Sequence, residues 1–150
     1  MELALEDDIL QLLEERKRTM AEFHAGYRPL NMYVICRADL EMSPGKLAAQ
    51  CGHAFTSAYE KALMQRPEVT GEYKGTGEGT KLVMYAKSLT TLVRAYRDLQ
   101  KAELPHHLVI DRGHKVPPHF TGEPTVTALG VGPVYRDEVE VIMKRYTMIK

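Results

Sequence analysis

Apolar positions along the chain alternate between two spacings. Residues 31–37 (NMYVICR) form a short, nearly continuous apolar and β-branched run, the pattern of a buried strand. The periodicity then changes to that of a helix over residues 44–66. Ser43 stands at its N-cap and Pro44 at its first position, where a missing N–H costs little. The pair Arg66-Pro67 ends it. Residues 67–79 read as a polar, glycine-rich loop. A second strand is expected at 81–86. A second helix is expected at 88–102, with Leu92, Val93, Tyr96 and Leu99 on one face, broken by Leu104-Pro105. A third strand (107–110), a long irregular loop with two prolines (111–123) and a fourth strand (125–131) follow. Gly132-Pro133 should stop that strand, and a last helix should span 134–147. Strands alternating with helices define an α/β layered sheet. Ahead of this body, Leu5, Ile9, Leu12, Leu13, Met20 and Phe23 fall on one side of a helix, with Gly26 and Pro29 as stop signals. The chain is thus expected to divide into an acidic amphipathic helix with its linker (1–28) and an α/β domain (29–150). The extra helix should pack on the body or on a second copy.

At 150 residues the chain has room for one core, and 44% hydrophobic with 27% charged residues is an ordinary globular balance. No apolar run approaches the ~18 residues of a membrane span. The opening MELALEDDIL is acidic where a secretory leader would be basic, and Cys36 and Cys51 are too few for a disulfide scaffold. Both features lead to the expectation of a cytoplasmic protein. The formal net charge of +0 at first argues against a nucleic-acid partner. That sum hides a division. Residues 1–30 carry seven acids and four bases, whereas 81–120 carry seven bases, three acids and four histidines. A local basic rim is therefore compatible with RNA.

Ligand sites of α/β sheets collect at the carboxyl ends of strands. Three segments are candidates by this rule: 38–45, 111–123 and the turn at 130–133. In the helix after the first, a turn of about 100° per residue sets Lys46, Gln50, His53 and Ser57 in one stripe about 60° wide. This stripe should form one exposed edge, opposite Leu47, Cys51, Ala54, Phe55 and Ala58. It begins at a helix N-terminus, where amide groups and the dipole favour an anion. Several other motifs fail. Ser43-Pro44-Gly45-Lys46 lacks the glycine and the Ser/Thr of a phosphate loop. Cys51 and His53 point nearly opposite ways around a helix and cannot form a dyad. The six histidines lack metal-ligand spacing, so no metal is expected. Asp111 ends an apolar strand and opens an Arg-Gly-His-Lys turn, where neighbouring cations favour its carboxylate.

The run Arg37-x-Asp39-Leu40-x-Met42-x-x-Gly45-Lys46-x-Ala48-Ala49-Gln50-Cys51-x-His53-Ala54 closely resembles the type 2 peptidyl-tRNA hydrolases, the archaeal and eukaryotic type. Leu108-Val109-Ile110-Asp111-x-Gly113 is similar to that family's D-x-G loop. Thr127-Ala128-Leu129-Gly130-Val131-Gly132-Pro133 is similar to its Thr-x-x-Gly-[Ile/Val]-Gly-Pro segment. The resemblance spans roughly residues 31–149. It implies a mixed four-stranded sheet with helices on both faces, to which the N-terminal helix is an addition. It also implies hydrolysis of the ester in peptidyl-tRNA, with no cofactor and a plausible homodimer. The family's functional residues carry over to Lys46, Gln50, His53, Asp111 and Thr127, with Gly113 and Gly130 shaping loops. The loop after Asp111 departs from the family's Ala-Gly-Arg/Lys-Thr and reads Arg112-Gly113-His114-Lys115. Any task of the missing threonine hydroxyl is lost or passes to Lys115 or His114.

Ester hydrolysis needs a placed water and a stabilised oxyanion. On this reading Asp111 positions the water and Lys46, with its helix-end amides, meets the oxyanion or the terminal phosphate. Gln50 and Thr127 orient carbonyl and ribose, and His53 assists from behind. Lys46, Lys87, Arg112, His114 and Lys115 are the expected tRNA contacts. The competing reading is a non-catalytic module on the same fold that holds a tRNA end, a peptide or a protein. An unrelated small-molecule enzyme is disfavoured by the absence of a cofactor motif.

Overall fold

The computed structural model describes residues 6–21 and 28–150. Strand β1 (Leu30–Arg37) is buried along nearly its whole length, as its nearly continuous apolar run favours. It lies at the centre of a five-stranded sheet. Parallel β2 (Thr80–Ala86) flanks it on one side and antiparallel β6 (Thr125–Tyr135) on the other. Beyond β6 lies β3 (His106–Asp111), antiparallel to it, and beyond β2 the short β7 (Thr147–Met148). Because β1 and β3 both oppose β6, the carboxyl ends of β1, β2 and β3 and the start of β6 share one edge of the sheet. A 3-10 turn (Ala38–Leu40) leads from β1 to helix α2 (Pro44–Gln65). The Ser43 side chain caps α2 by accepting from the Lys46 amide at 3.3 Å.

Helices cover both faces. On one face, α4 (Leu89–Lys101) and α5 (Arg136–Met143) bury Leu92, Ala95, Leu99, Val139 and Ile142 against Ile35, Leu129 and Val131. On the other, α2 lays Cys51 and Ala54 on Val34, Cys36 and Ala128. The closest approach is at Gly130, where an added Cβ would stand 2.2 Å from the Ala54 carbonyl oxygen. Gly130 is therefore a seat for α2 inside a strand, rather than a loop-shaping residue.

The α/β class stands, with differences in the elements. The sheet has five strands instead of four, because the chain after α5 returns to pair with β2. The last helix stops at Met143 instead of 147, and the Tyr146 hydroxyl is free to donate to the Thr91 carbonyl at 2.6 Å. Residues 67–75, expected as loop, form helix α3 (Pro67–Gly75). Pro67 starts this helix as well as ending α2. Burial of Tyr73 against Leu30, Met32 and Ala58 offsets the cost of its glycines. Strand β6 continues through Gly132-Pro133 to Tyr135, because a bulge opposite β1 absorbs the proline and Gly132 takes φ +97°. The expected irregular loop holds a small hairpin of β4 (Lys115–Val116) and β5 (Phe120–Thr121).

The N-terminal helix α1 spans Asp7–Ala21. Ile9, Leu10, Leu12 and Leu13 are exposed on it. Leu5, Phe23 and Gly26 of the expected stripe and stop lie outside the described residues, as does the Met20 side chain. Arg16 of α1 meets Glu78 at 3.4 Å, just before β2 and thus at the sheet end remote from Lys46.

Candidate functional site

The strand ends gather residues far apart in sequence. Lys46, on the first turn of α2, extends to Asp111 at the end of β3, with Nζ 3.0 Å from Oδ2. The pair is largely shielded, with side-chain exposures of 11% and 19%. The Lys46 ammonium also contacts Nδ1 of His114 and lies 4.2 Å from the centre of the Phe120 ring. An ammonium has only donors, so Nδ1 is the accepting atom of this contact. Of the two candidates to replace the family's threonine, His114 thus reaches Lys46. Lys115 instead lays its side chain over Gly122.

Gln50 lies one turn further along α2. It was expected on an exposed edge, but only 4% of it is exposed. The reason is a partner across the layer: the fully buried Thr127 hydroxyl donates to Gln50 Oε1 at 2.6 Å. Thr127 is thus closed off from the surface. Its hydroxyl fixes the amide orientation and leaves Gln50 Nε2 as the donor end. His53 stays exposed on the stripe and makes no side-chain hydrogen bond among the described residues, but it lines a cavity with Gln50 and Asp111. The helix end offers less than expected. Pro44 has no N–H, the Lys46 amide is capped by Ser43 Oγ and the Leu47 amide by the Ser43 carbonyl. Only the Gly45 amide of the first turn remains for an anion.

The remaining expected contacts are exposed at the same edge: Lys87 just after β2, and Arg112, His114 and Lys115 after β3. Arg37 braces the edge, with Nη2 2.7 Å from Asp39 Oδ2 and Nη1 3.0 Å from the Val126 carbonyl. The turn at 130–133 does not belong here. Since β6 runs against β1, Gly132 lies beside Asn31 at the opposite end. Cys51 faces the core, with its sulfur 3.5 Å from that of Cys36 and both thiols free. The hydrogen bond with the Cys51 sulfur, together with burial, pushes the Cys36 thiol well above the usual range. No group of three or more His, Cys, Asp or Glu among the described residues is arranged for a metal.

Two contributors escaped the sequence reading. Phe120 packs under Lys46 only because the hairpin folds back. His107 was passed over, although the two-residue period of a strand sets 107, 109 and 111 on one face. It lines the same cavity as Asp111, and its Nδ1 is buried with no partner.

Fold and site define an α/β protein with a shielded lysine–aspartate pair and a buried, pre-oriented amide at its strand ends. Comparison with known proteins gives the family. Residues 30–149 match the family described as Peptidyl-tRNA hydrolase PTH2, and the chain belongs to it. It is 36% identical over 117 residues to mouse "Peptidyl-tRNA hydrolase 2, mitochondrial", covering 77% of this chain and 62% of that one. It is 33% identical over 114 residues to "Peptidyl-tRNA hydrolase" of Methanothermobacter thermautotrophicus, covering 75% and 94%. "Probable peptidyl-tRNA hydrolase 2" of Dictyostelium discoideum is 33% identical over 111 residues, 74% of this chain and 50% of the other. The chain thus spans between half and two thirds of these eukaryotic relatives and nearly all of the archaeal one. No helix among the described residues is long and apolar enough to cross a membrane.

Proposed function

We propose that this chain hydrolyses the ester joining a peptide to the 3′ end of tRNA. The observation that carries the reading is the Lys46–Asp111 pair at 3.0 Å beside the oriented amide of Gln50. In the proposed reaction Asp111, held through Oδ2, uses Oδ1 to position a water against the ester carbonyl. The developing oxyanion is met by Gln50 Nε2, the Lys46 ammonium and the Gly45 amide, which are fixed before reaction and cost no reorganisation. Thr127 is a positioning residue that acts through Gln50. His53 orients the bound substrate from the cavity wall. The bond broken is acyl carbon to ribose oxygen, the water hydroxyl joins the acyl group, and the 3′-hydroxyl leaves with a proton. The direct test is release of N-acetyl amino acid from N-acetyl-aminoacyl-tRNA by the purified chain.

Lys87, Arg112, His114 and Lys115 are proposed to hold the phosphates, with Lys46 restricted to the reacting end by its ties to Asp111 and His114. Because such contacts release counterions, the apparent KM should rise at least about tenfold between about 50 and 200 mM salt. A flat salt dependence would remove these residues from the tRNA interface.

The proposal extends to organisation. The 29–150 segment carries the activity, and the 1–28 segment serves self-association through the exposed Ile9, Leu10, Leu12 and Leu13. Gel filtration should show a dimer for the full chain and a monomer once residues 1–28 are removed, with hydrolysis retained. An unchanged elution state would dismiss that role. A cytoplasmic site of action belongs to the same reading, and the free thiols Cys36 and Cys51 fit a reducing compartment.

A further inference from the structure

Two cavities of different character flank the reacting groups. One, of about 370 Å³, is lined by Gln50, His53, Ser57, His107, Asp111 and Arg112 among others. The second, of about 220 Å³, lies on the other side of Lys46 and draws its apolar lining from Leu40, Met42, Val116, Pro117, Pro118 and Phe120. The charged groups of this second cavity are engaged with one another: Glu41 with His119 at 3.3 Å, and Lys46 with His114. The first cavity falls within the ~300–1,000 Å³ typical of small-molecule sites and the second below it.

An ester of a nucleoside has two unlike halves that diverge from its carbonyl. We infer that the polar cavity receives the terminal adenosine and that the apolar cavity receives the side chain of the esterified amino acid, with His107 as the residue that reads the nucleoside. The inference rests on the hydrolase reading for the position of the ester, and it fixes the direction in which the substrate lies.

The case for His107 is chemical. A buried polar atom without a partner is costly, and native proteins keep few of them. Sealed and unpaired, Nδ1 has no acceptor for a proton, so the ring proton belongs on Nε2, the nitrogen that is not closed off. Burial, together with the charge of Lys61, holds the imidazole below its ordinary range and so neutral, although Glu60 opposes the shift. A neutral imidazole that carries its proton on Nε2 can donate to a ring nitrogen of adenine. Ser57 adds a hydroxyl from α2, and Arg112 stands at the same cavity where a 5′-phosphate would leave. The apolar cavity offers the complementary property, with contacts that grip a side chain without reading its polar groups. That suits a substrate whose amino acid varies while its nucleoside does not.

The test uses the full chain and a readout independent of turnover. In amide chemical-shift titrations, adenosine 5′-monophosphate should perturb Ser57, His107 and Ile110, and N-acetyl-phenylalaninamide should perturb Val116 and Phe120. His107→Leu removes the unpaired nitrogen and should fold at least as stably as the parent. Loss of one hydrogen bond should weaken the nucleotide about tenfold and leave the amide titration unchanged. Ser57→Leu, which fills the cavity from the helix side, should have the same selective effect. Exchanged footprints, no nucleotide footprint, or parental nucleotide affinity in both variants would overturn the inference. If the footprints are as described but the chain never cleaves N-acetyl-aminoacyl-tRNA, the hydrolase reading falls alone.

Discussion

On the proposed reaction, Lys46→Ala and Asp111→Asn should each lower N-acetyl-aminoacyl-tRNA hydrolysis by about 10²–10³, the loss that follows removal of one oxyanion donor. Both proteins stay folded, because neither side chain belongs to the core clusters beneath them. The two substitutions fail for different reasons. Without Lys46, the carboxylate of Asp111 loses the ammonium at 3.0 Å that fixes it, so both oxyanion stabilisation and water placement suffer. In Asp111→Asn the lysine remains tied to His114, and only the anionic acceptor for the water is gone. Uncharged tRNA therefore still binds Asp111→Asn with parental affinity. Single-turnover rates measured with circular dichroism of the same samples check the pair. Rates within threefold of the parent for both variants would remove this pair from the chemistry.

The second large effect is structural. Gly130→Ala places a Cβ 2.2 Å from the Ala54 carbonyl oxygen and 2.7 Å from its carbon, both backbone atoms of α2. No side-chain rotation relieves that contact, so the helix must lift from the sheet. Overpacking of this kind costs about 3 kcal/mol or more. For a chain of this length the melting temperature should fall by about 10 °C. Activity falls with it, because α2 carries Lys46 and Gln50. Gly52→Ala is the control. It lies in the same helix with nothing within 4 Å of the added Cβ, so removing a helical glycine should stabilise by about 0.5–1 kcal/mol. Equal thermal stability for the two variants would contradict the proposed seat.

These two cases show what could be read from the residues. The Gly130 motif was visible, but its function was not, because the helix that meets it lies about 80 residues earlier and only the sheet brings them together. The same holds for Lys46 and Asp111. Each was identified by its local setting, but their contact depends on β6 running between β1 and β3 in the opposite sense. Local chemistry that acts over a few residues was legible: the Ser43-Pro44 start of α2, the nearly continuous apolar run of β1, and the opposed directions of Cys51 and His53. Features decided by burial were not. Gln50 sits on a polar stripe, yet it is enclosed because Thr127 offers a hydroxyl across the layer. Helix α3 contains glycines at 71 and 75, yet it forms because Tyr73 has a core to enter. Strand β7 is two residues long, too short to carry a period at all. Charge illustrates the same limit. A total of +0 said nothing about a rim whose bases stand at one edge while the acids of α1 lie elsewhere along the chain.

The most direct measurement of the central claim is multiple-turnover hydrolysis of N-acetyl-phenylalanyl-tRNA by the full chain, with tRNA binding followed in the same samples. The account predicts many equivalents of N-acetyl-phenylalanine and intact tRNA released per protein, and near-complete loss of release in Asp111→Asn with binding preserved. Tight tRNA binding with no release by the parent chain would contradict it and leave a module that holds the tRNA end without cutting the ester.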